Sequence, residues 1–378
     1  MKITGIICEY NPLHLGHKKQ LDIVRASNPE GGIVCLMSGN FVQRGAPAVF
    51  DKCLRAKSAV CSGADLVLEL PVTAALSSAE GFAAKGVEIL SPFCDALCFG
   101  AETADADKLM GIAQVLLSQE FSDRLKLELE TGVSFPAARQ KAMEAMGLDG
   151  SLLSLPNNIL AVEYCKAILS QSSDMQPQAI LREGSYHDTT VDKENPSATA
   201  LRQLIENGQD WQQFVPENAC FETAAVHTLQ AGEQAILYRL RTMTDEEFEA
   251  LPYGSEGLWR KLMHAARTQS TLERILEATK SKRYTRTRLD RMVLCAFLGI
   301  TEEVLHSPAP YVRVLAFNDK GREILKAART TGEFPNIGQR IDHPYQQLED
   351  RCGALYGLFA QTTESPNAES EYRIFYNK

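Results

Sequence analysis

Gly5-Ile6-Ile7-Cys8-Glu9-Tyr10-Asn11-Pro12-Leu13-His14-Leu15-Gly16-His17 is the stretch that decides the fold class. An apolar, β-like run from Ile3 to Cys8 enters a loop holding Asn11 and Pro12. Two histidines three apart follow, and a helical pattern continues from Lys18 through Lys19 and Gln20 to Ser27. A strand that feeds a loop and then a helix is how a nucleotide-binding α/β sheet begins. The histidines fall at the helix N-terminus, where free backbone N–H groups and the helix dipole favour phosphate. Gly16 lets the backbone approach a phosphate closely. His14 and His17 supply donors for phosphate oxygens and for charge developing on an α-phosphate. Out of context the same residues read as two solvated loop histidines; their place between a strand and a helix argues for ATP.

Outward from this stretch, β-rich runs alternate with helical ones. Gly32–Met37, Asp65–Leu70 and Ala96–Phe99 are strand-like; Lys52–Cys61, Ala79–Leu90 and Ala104–Leu117 are helical. Helices follow over Phe121–Thr131, Phe135–Met146 and Ile159–Leu169, and Ala179–Arg182 is a last strand candidate. This is the pattern of a doubly wound, Rossmann-like parallel sheet, and ligands on such sheets bind at the carboxyl ends of the strands. Helical periodicity dominates beyond Gly208: Asn218–Gln230, Ala231–Leu240, Asp245–Leu251, Gly257–Ala266, Thr271–Ala278 and Leu289–Leu298. The expected division is therefore a catalytic domain over 1–208 and a mainly helical domain over 209–378. Strand-like Tyr311–Phe317 and helical Lys320–Thr330 come near the end.

Composition narrows the function. A chain of 378 residues exceeds one typical domain, and its 44% hydrophobic content can fill real cores. It has no run of 18 apolar residues and no signal-peptide pattern, so a membrane partner is not expected. Ten scattered cysteines form no Cys-x-x-Cys pair and have no accompanying histidine cluster, so no metal site is expected and a reducing cytoplasm is the natural setting. The net charge is −9, yet Lys280–Arg291 carries six basic residues against one acid. Within that run Lys282, Arg283, Tyr284, Arg286, Arg288 and Arg291 combine phosphate-binding charge with an aromatic able to stack on a base, as RNA binding requires. The alternative is a solvated helix face.

Three further segments carry chemistry. Ser197-Ala198-Thr199-Ala200-Leu201-Arg202 places hydroxyls at a helix start one turn before an arginine, a cradle for β- and γ-phosphates in which Thr199 and Arg202 act; alone it is also an ordinary N-capped helix. Ser38-Gly39-Asn40-Phe41-Val42-Gln43-Arg44-Gly45 follows the second strand, and its Ser38, Gly39, Asn40 and Gln43 suit a small polar substrate, or else form a plain surface loop. Lys52 and Arg55, one turn apart, either add positive charge to the crevice or form a solvated face. Gly100 ends a strand where an adenosine could approach closely.

Together these segments closely resemble the tRNA(Met) cytidine acetate ligase family, within the HxGH nucleotidyltransferase-like superfamily. The resemblance rests on Glu9-Tyr10-Asn11-Pro12 with His14-Leu15-Gly16-His17, Met37 through Gly45, Gly63-Ala64-Asp65-Leu66-Val67-Leu68-Glu69-Leu70-Pro71 and Leu155-Pro156-Asn157-Asn158-Ile159-Leu160. It continues with Tyr186-His187-Asp188, Ser197-Ala198-Thr199 and Lys282 through Arg288. Leu13 stands where an aromatic is expected. The resemblance implies that ATP and acetate form acetyl-adenylate, and that the acetyl group passes to N4 of the wobble cytidine of elongator tRNA(Met). It also implies ATP contacts across Ile7–Gln20, at Gly100, at an asparagine of the Pro-Asn-Asn run (Asn157) and at Arg182, with Mg²⁺ carried by ATP. Acetate, ATP and tRNA are the expected partners; no protein partner is inferred. Two other classes fit the residues less fully: a small-molecule nucleotidyltransferase of cofactor synthesis, and a non-catalytic RNA-binding module.

Overall fold

A computed structural model describes residues 1–182, 197–221 and 224–378. Tyr186, His187, Asp188 and the rest of the polar loop up to Pro196 lie outside the described residues.

The described residues form nine strands: β1 (Ile3–Cys8), β2 (Gly32–Ser38), β3 (Phe41–Val42), β4 (Ala46–Pro47), β5 (Leu66–Leu70), β6 (Ala96–Ala101), β7 (Gln176–Leu181), β8 (Val314–Asn318) and β9 (Phe375–Asn377). The main sheet has the order β7-β6-β1-β2-β5-β8-β9, and its first five strands are all parallel. The chain builds β1, β2 and β5 outward to one side, then returns to add β6 and β7 on the other. The reversal falls between β1 and β6, which is where a doubly wound sheet opens its binding crevice.

Alternation along the strands sorts side chains between two cores. Val34 and Leu36 pack on one face with the helices Ala79–Leu90, Ala106–Leu116 and Pro156–Ser170. Ile33, Cys35 and Met37 pack on the other with the helices Leu15–Ser27 and Lys52–Cys61. With both faces covered, β2 is buried along its whole length, as a central parallel strand should be.

The expected cut at residue 208 divides this sheet. β8 pairs antiparallel with β5, and β9 extends the sheet beyond β8. Leu66, Val67 and Leu68 are fully buried, and without β8 the β5 edge would expose unpaired backbone beside an apolar strand. Most of the chain after residue 208 does form a separate helical core, from Leu229–Thr242, Leu258–Thr268, Leu272–Thr279, Arg286–Leu298 and Pro344–Tyr356. Phe41 of the β3–β4 hairpin reaches into that core, its ring 5.8 Å from that of Tyr356.

Several element boundaries differ from the periodicity, among them the start of β7 at Gln176 and of β8 at Val314 and two in the helical region. Among the described residues of 218–228 there is no helix: Phe221 stacks on Phe50 at 4.7 Å, His227 bridges to Ala360, and Thr228 caps a helix that starts only at Leu229. The basic run is helical from Arg286, not from Leu289; Thr285 stands at the N-cap position without a side-chain cap bond. No helix among the described residues is long and apolar enough to cross a membrane.

Candidate active site

The loops at the carboxyl ends of β1, β2, β6 and β7 surround a cavity of about 300 Å³. His14 is the N-cap of the helix Leu15–Ser27. Its Nδ1 accepts the Gly16 N–H at 3.1 Å, and the His17 Nδ1 accepts the His14 N–H at 3.3 Å, a reciprocal cap built from two imidazoles. Gly16 has a second reason to be glycine: a Cβ there would sit 3.0 Å from the His14 ring. The two rings lie 3.8 Å apart.

These bonds fix the tautomers. With both Nδ1 atoms accepting, each neutral ring carries its proton on Nε2. The His14 Nε2 is buried and has no protein partner. Burial, then Arg182 and Arg202, pushes the His14 pKa down to about 3. Burial, then His14 and Arg182, holds His17 well below the usual histidine range. The site therefore presents neutral N–H donors that need no proton uptake at physiological pH.

Cationic charge comes from arginines. Arg202 donates to the Asn11 carbonyl at 2.8 Å and to the Thr199 hydroxyl at 3.2 Å, which ties the Ser197–Arg202 segment to the β1 loop. Ser197 N-caps its helix through the Ala200 N–H. Arg182 donates to the Asn157 side-chain oxygen at 2.9 Å. Burial lowers the pKa of both guanidiniums; Glu102 beside Arg182 and Glu9 beside Arg202 oppose this, and Arg44, another crevice residue, adds a smaller lowering to each. Mutually repelling buried cations favour a polyanion in the space between them.

The β1 loop is only partly turned toward the cavity. Ile7, Cys8, Glu9, Tyr10, Asn11, His14, Gly16, His17, Lys19 and Gln20 line it, whereas Pro12, Leu13, Leu15 and Lys18 do not. Leu13 is fully buried in the core, where an aliphatic side chain suffices, and Lys18 pairs with Asp22. Tyr10 adopts φ 44°, a left-handed conformation costing an aromatic residue about 1–3 kcal/mol. It is held by burial, a 3.4 Å contact from its hydroxyl to the Cys35 sulfur, and packing against His17.

Gly100 lines the cavity with open space where a side chain would project. Asn157 and Asn158 separate in role: Asn157 lines the cavity, while Asn158 is fully buried, its side-chain oxygen accepting the Thr103 N–H at 2.9 Å. Both backbone N–H groups donate to Glu102, which fixes the entry of the helix Pro156–Ser170.

The Ser38–Gly45 loop is a small hairpin, and little of it faces the crevice. Gln43 and Arg44 line the cavity; Ser38, Gly39 and Asn40 do not. The Asn40 side chain accepts the Lys52 N–H at 2.9 Å, and the carbonyls of Ser38 and Gly39 are taken by Arg55. Lys52 and Arg55 are neither crevice cations nor a solvated face. Lys52 is buried against Glu69 and Glu369 at 2.9 and 2.7 Å. Arg55 has no exposed surface and donates to four carbonyls, those of Phe50, Glu9, Ser38 and Gly39. It thereby ties the end of β1 to the end of β2, and the Gln43 N–H to Glu9 carboxylate bond at 2.8 Å adds a second tie.

The basic run meets this hairpin from the other side. Arg291 is buried, stacks on Tyr253 and donates to the Gln43 carbonyl, so it braces the loop and does not face solvent. Arg283 pairs with Glu256 and Arg286 with Glu273 and Asp290, while Arg288 folds onto the Tyr253 carbonyl. Tyr284 gives its hydroxyl to Glu256. Of the six basic residues of the run, Lys280, Lys282 and Arg283 are exposed. The charge counted from the sequence is partly neutralised.

Sequence reasoning missed the apolar wall of the cavity, made by Phe82, Phe99, Leu160, Tyr164 and Ile180. One signal existed: Asn157, Leu160 and Tyr164 recur at i, i+3 and i+7, one face of a helix.

A family model described as HIGH Nucleotidyl Transferase matches residues 1–371. A Clostridium novyi protein named tRNA(Met) cytidine acetate ligase is 36% identical over 364 residues, covering 89% of each chain. The solved structure of Thermotoga maritima TmcAL superposes with a TM-score of 0.90 at 30% identity over the full length of both chains. The same protein bound with alpha-thio ATP superposes at 0.87 and 29% identity, again over both full lengths.

Proposed function

From the premise that the chain belongs to the HIGH nucleotidyl transferase family, and within it to the tRNA(Met) cytidine acetate ligases, we infer that it uses ATP and acetate to acetylate a tRNA cytidine. The observation that carries this reading is the buried, unpartnered His14 Nε2, in a crevice that Arg182 and Arg202 also line, at the switch point of the sheet.

In this reading an acetate oxygen attacks the α-phosphorus in line, the bond to the bridging oxygen breaks and pyrophosphate leaves. Positioning and charge neutralisation lower such a barrier. His14 and His17 donate Nε2–H bonds to the α-phosphate as its charge develops. Thr199 and Arg202 hold the departing pyrophosphate, and Asn157 with Arg182 holds the nucleotide side. The N4 amine of the wobble cytidine then attacks the acyl carbon, and AMP leaves. Among the described residues no cluster of three His, Cys, Asp or Glu side chains could hold a metal ion. Mg²⁺ is taken to enter with ATP as part of the substrate, as the family resemblance implies.

The sheet body is assigned the adenylation chemistry, and the helical body with its basic run the docking of elongator tRNA(Met). A family match over both bodies disfavours a compact small-molecule nucleotidyltransferase. Ten unpaired cysteines support a reducing, cytoplasmic setting.

The test is incubation with ATP, labelled acetate and tRNA, with nucleoside mass spectrometry as the readout. N4-acetylcytidine and AMP are expected; label in no nucleoside refutes the reading. His17→Ala should abolish acetate-dependent ATP–pyrophosphate exchange with tRNA binding retained, and wild-type exchange would remove His17 from the role assigned.

A further inference from the structure

A second cavity, about 270 Å³, opens on the far side of the hairpin from the crevice. Its floor is Ile236, Leu276 and Val293, from three different helices, and Leu229 stands at its mouth, 37% exposed. Gly45 forms part of its wall, whereas Gln43 and Arg44, the two residues before it, line the crevice. Consecutive Cα atoms are about 3.8 Å apart. The two cavities are thus divided by the thickness of one turn.

The rim has a distinct character. Arg286 is held by Glu273 through two 2.7 Å bonds and by Asp290 at 2.8 Å, which fixes its guanidinium plane beside the apolar floor. Glu233 adds a further carboxylate. A phosphate would meet more negative than positive charge here. A flat, neutral ring with N–H donors finds apolar walls, a guanidinium face for stacking and carboxylate acceptors at its edge.

We propose that this cavity receives a nucleobase of the tRNA anticodon loop next to, or one removed from, the cytidine that enters the crevice. The proposal rests on the reading that the enzyme modifies a tRNA cytidine, since only then does a strand cross the hairpin tip. The adjacency of the two cavities across Gln43–Gly45 selects RNA as the occupant over an apolar peptide. A base seated here draws the loop open, exposes its neighbour and sets the register of the target.

The test uses the full-length enzyme, Leu229→Trp, and tRNA carrying a single abasic nucleotide at each anticodon-loop position in turn. The tryptophan fills the cavity from its exposed mouth and leaves the buried floor intact. The variant should lose tenfold or more in kcat/KM for tRNA, through KM, consistent with the loss of one stacked base. Acetate-dependent ATP–pyrophosphate exchange, which needs no tRNA, checks that the crevice is intact. One abasic position beside the target should cost the wild type a similar factor and cost Leu229→Trp nothing more. Wild-type tRNA acetylation by Leu229→Trp overturns the proposal. So do penalties that multiply at every abasic position, which would leave the cavity to another occupant such as a protein segment. If the wild type itself shows no exchange with acetate, it is the underlying function that fails.

Discussion

Neutralisation of His14 by its surroundings has a measurable price in acid. In the folded protein its pKa lies at about 3, while in an unfolded chain it returns to about 6.5. A depressed pKa contributes stability that is present above 6.5 and is lost as the pH falls toward 3, because the unfolded state takes up a proton that the folded state refuses. At 1.36 kcal/mol per pKa unit, lowering the pH from 7 to 5 should cost about 2 kcal/mol through His14 alone. His14→Asn removes the titration and keeps the cap, since asparagine is a favoured N-cap whose side-chain oxygen can accept the same first-turn N–H groups. Urea unfolding of wild type and His14→Asn at pH 7 and pH 5 reads the term; the variant also relieves the part of the His17 shift that His14 causes, which adds in the same direction. The wild type should lose at least about 2 kcal/mol more than the variant across that interval. Equal losses would show that the His14 ring is not held neutral by burial, and the donor role given to its Nε2 would fall with it.

Arg55→Met should cost about 4 kcal/mol of stability, as four buried carbonyls each lose a donor, and should raise the KM for ATP by loosening the β1 and β2 loops together. Arg55→Lys should recover only part of this, because one ammonium cannot span the four oxygens; full recovery in urea unfolding and ATP kinetics would refute the tie. Asn157→Ala should raise the KM for ATP with little loss of stability. Asn158→Ala should instead lose about 1–3 kcal/mol, the cost of the unmet Thr103 N–H; the reverse pattern would exchange their roles. Replacing Glu256 by glutamine frees Arg283 and leaves the Glu273 grip on Arg286 in place. If Arg283 contacts a tRNA phosphate, binding should tighten and its logarithmic salt slope steepen by about one unit. An unchanged slope would show that Arg283 serves structure alone.

Local signals carried well where the physics is local. The strand–loop–helix order around Ile3–Ser27, the buried parallel strands and the N-caps at His14 and Ser197 depend on residues a few positions apart. Burial that depends on distant partners was not legible. Lys52 and Arg55 look like surface charges on a helix face, yet one meets Glu369, 317 residues away, and the other meets carbonyls 16, 17 and 46 residues away. Arg283 and Arg286 read as free cations because their acids lie 27 and 13 residues upstream.

By itself the sequence determined the parallel α/β class, the place of the two histidines at the N-terminus of the first helix and the capped Ser197–Arg202 segment that meets the same crevice. These follow from side-chain period, capping chemistry and the glycine beside the two histidines. Only the tertiary structure decided that β8 and β9 complete the sheet, that Asn157 and not Asn158 faces the crevice, and that Arg291 braces the hairpin. Charge and hydrogen-bonding capacity can be counted along a chain, but whether a group meets water, a ligand or a partner depends on what folds over it.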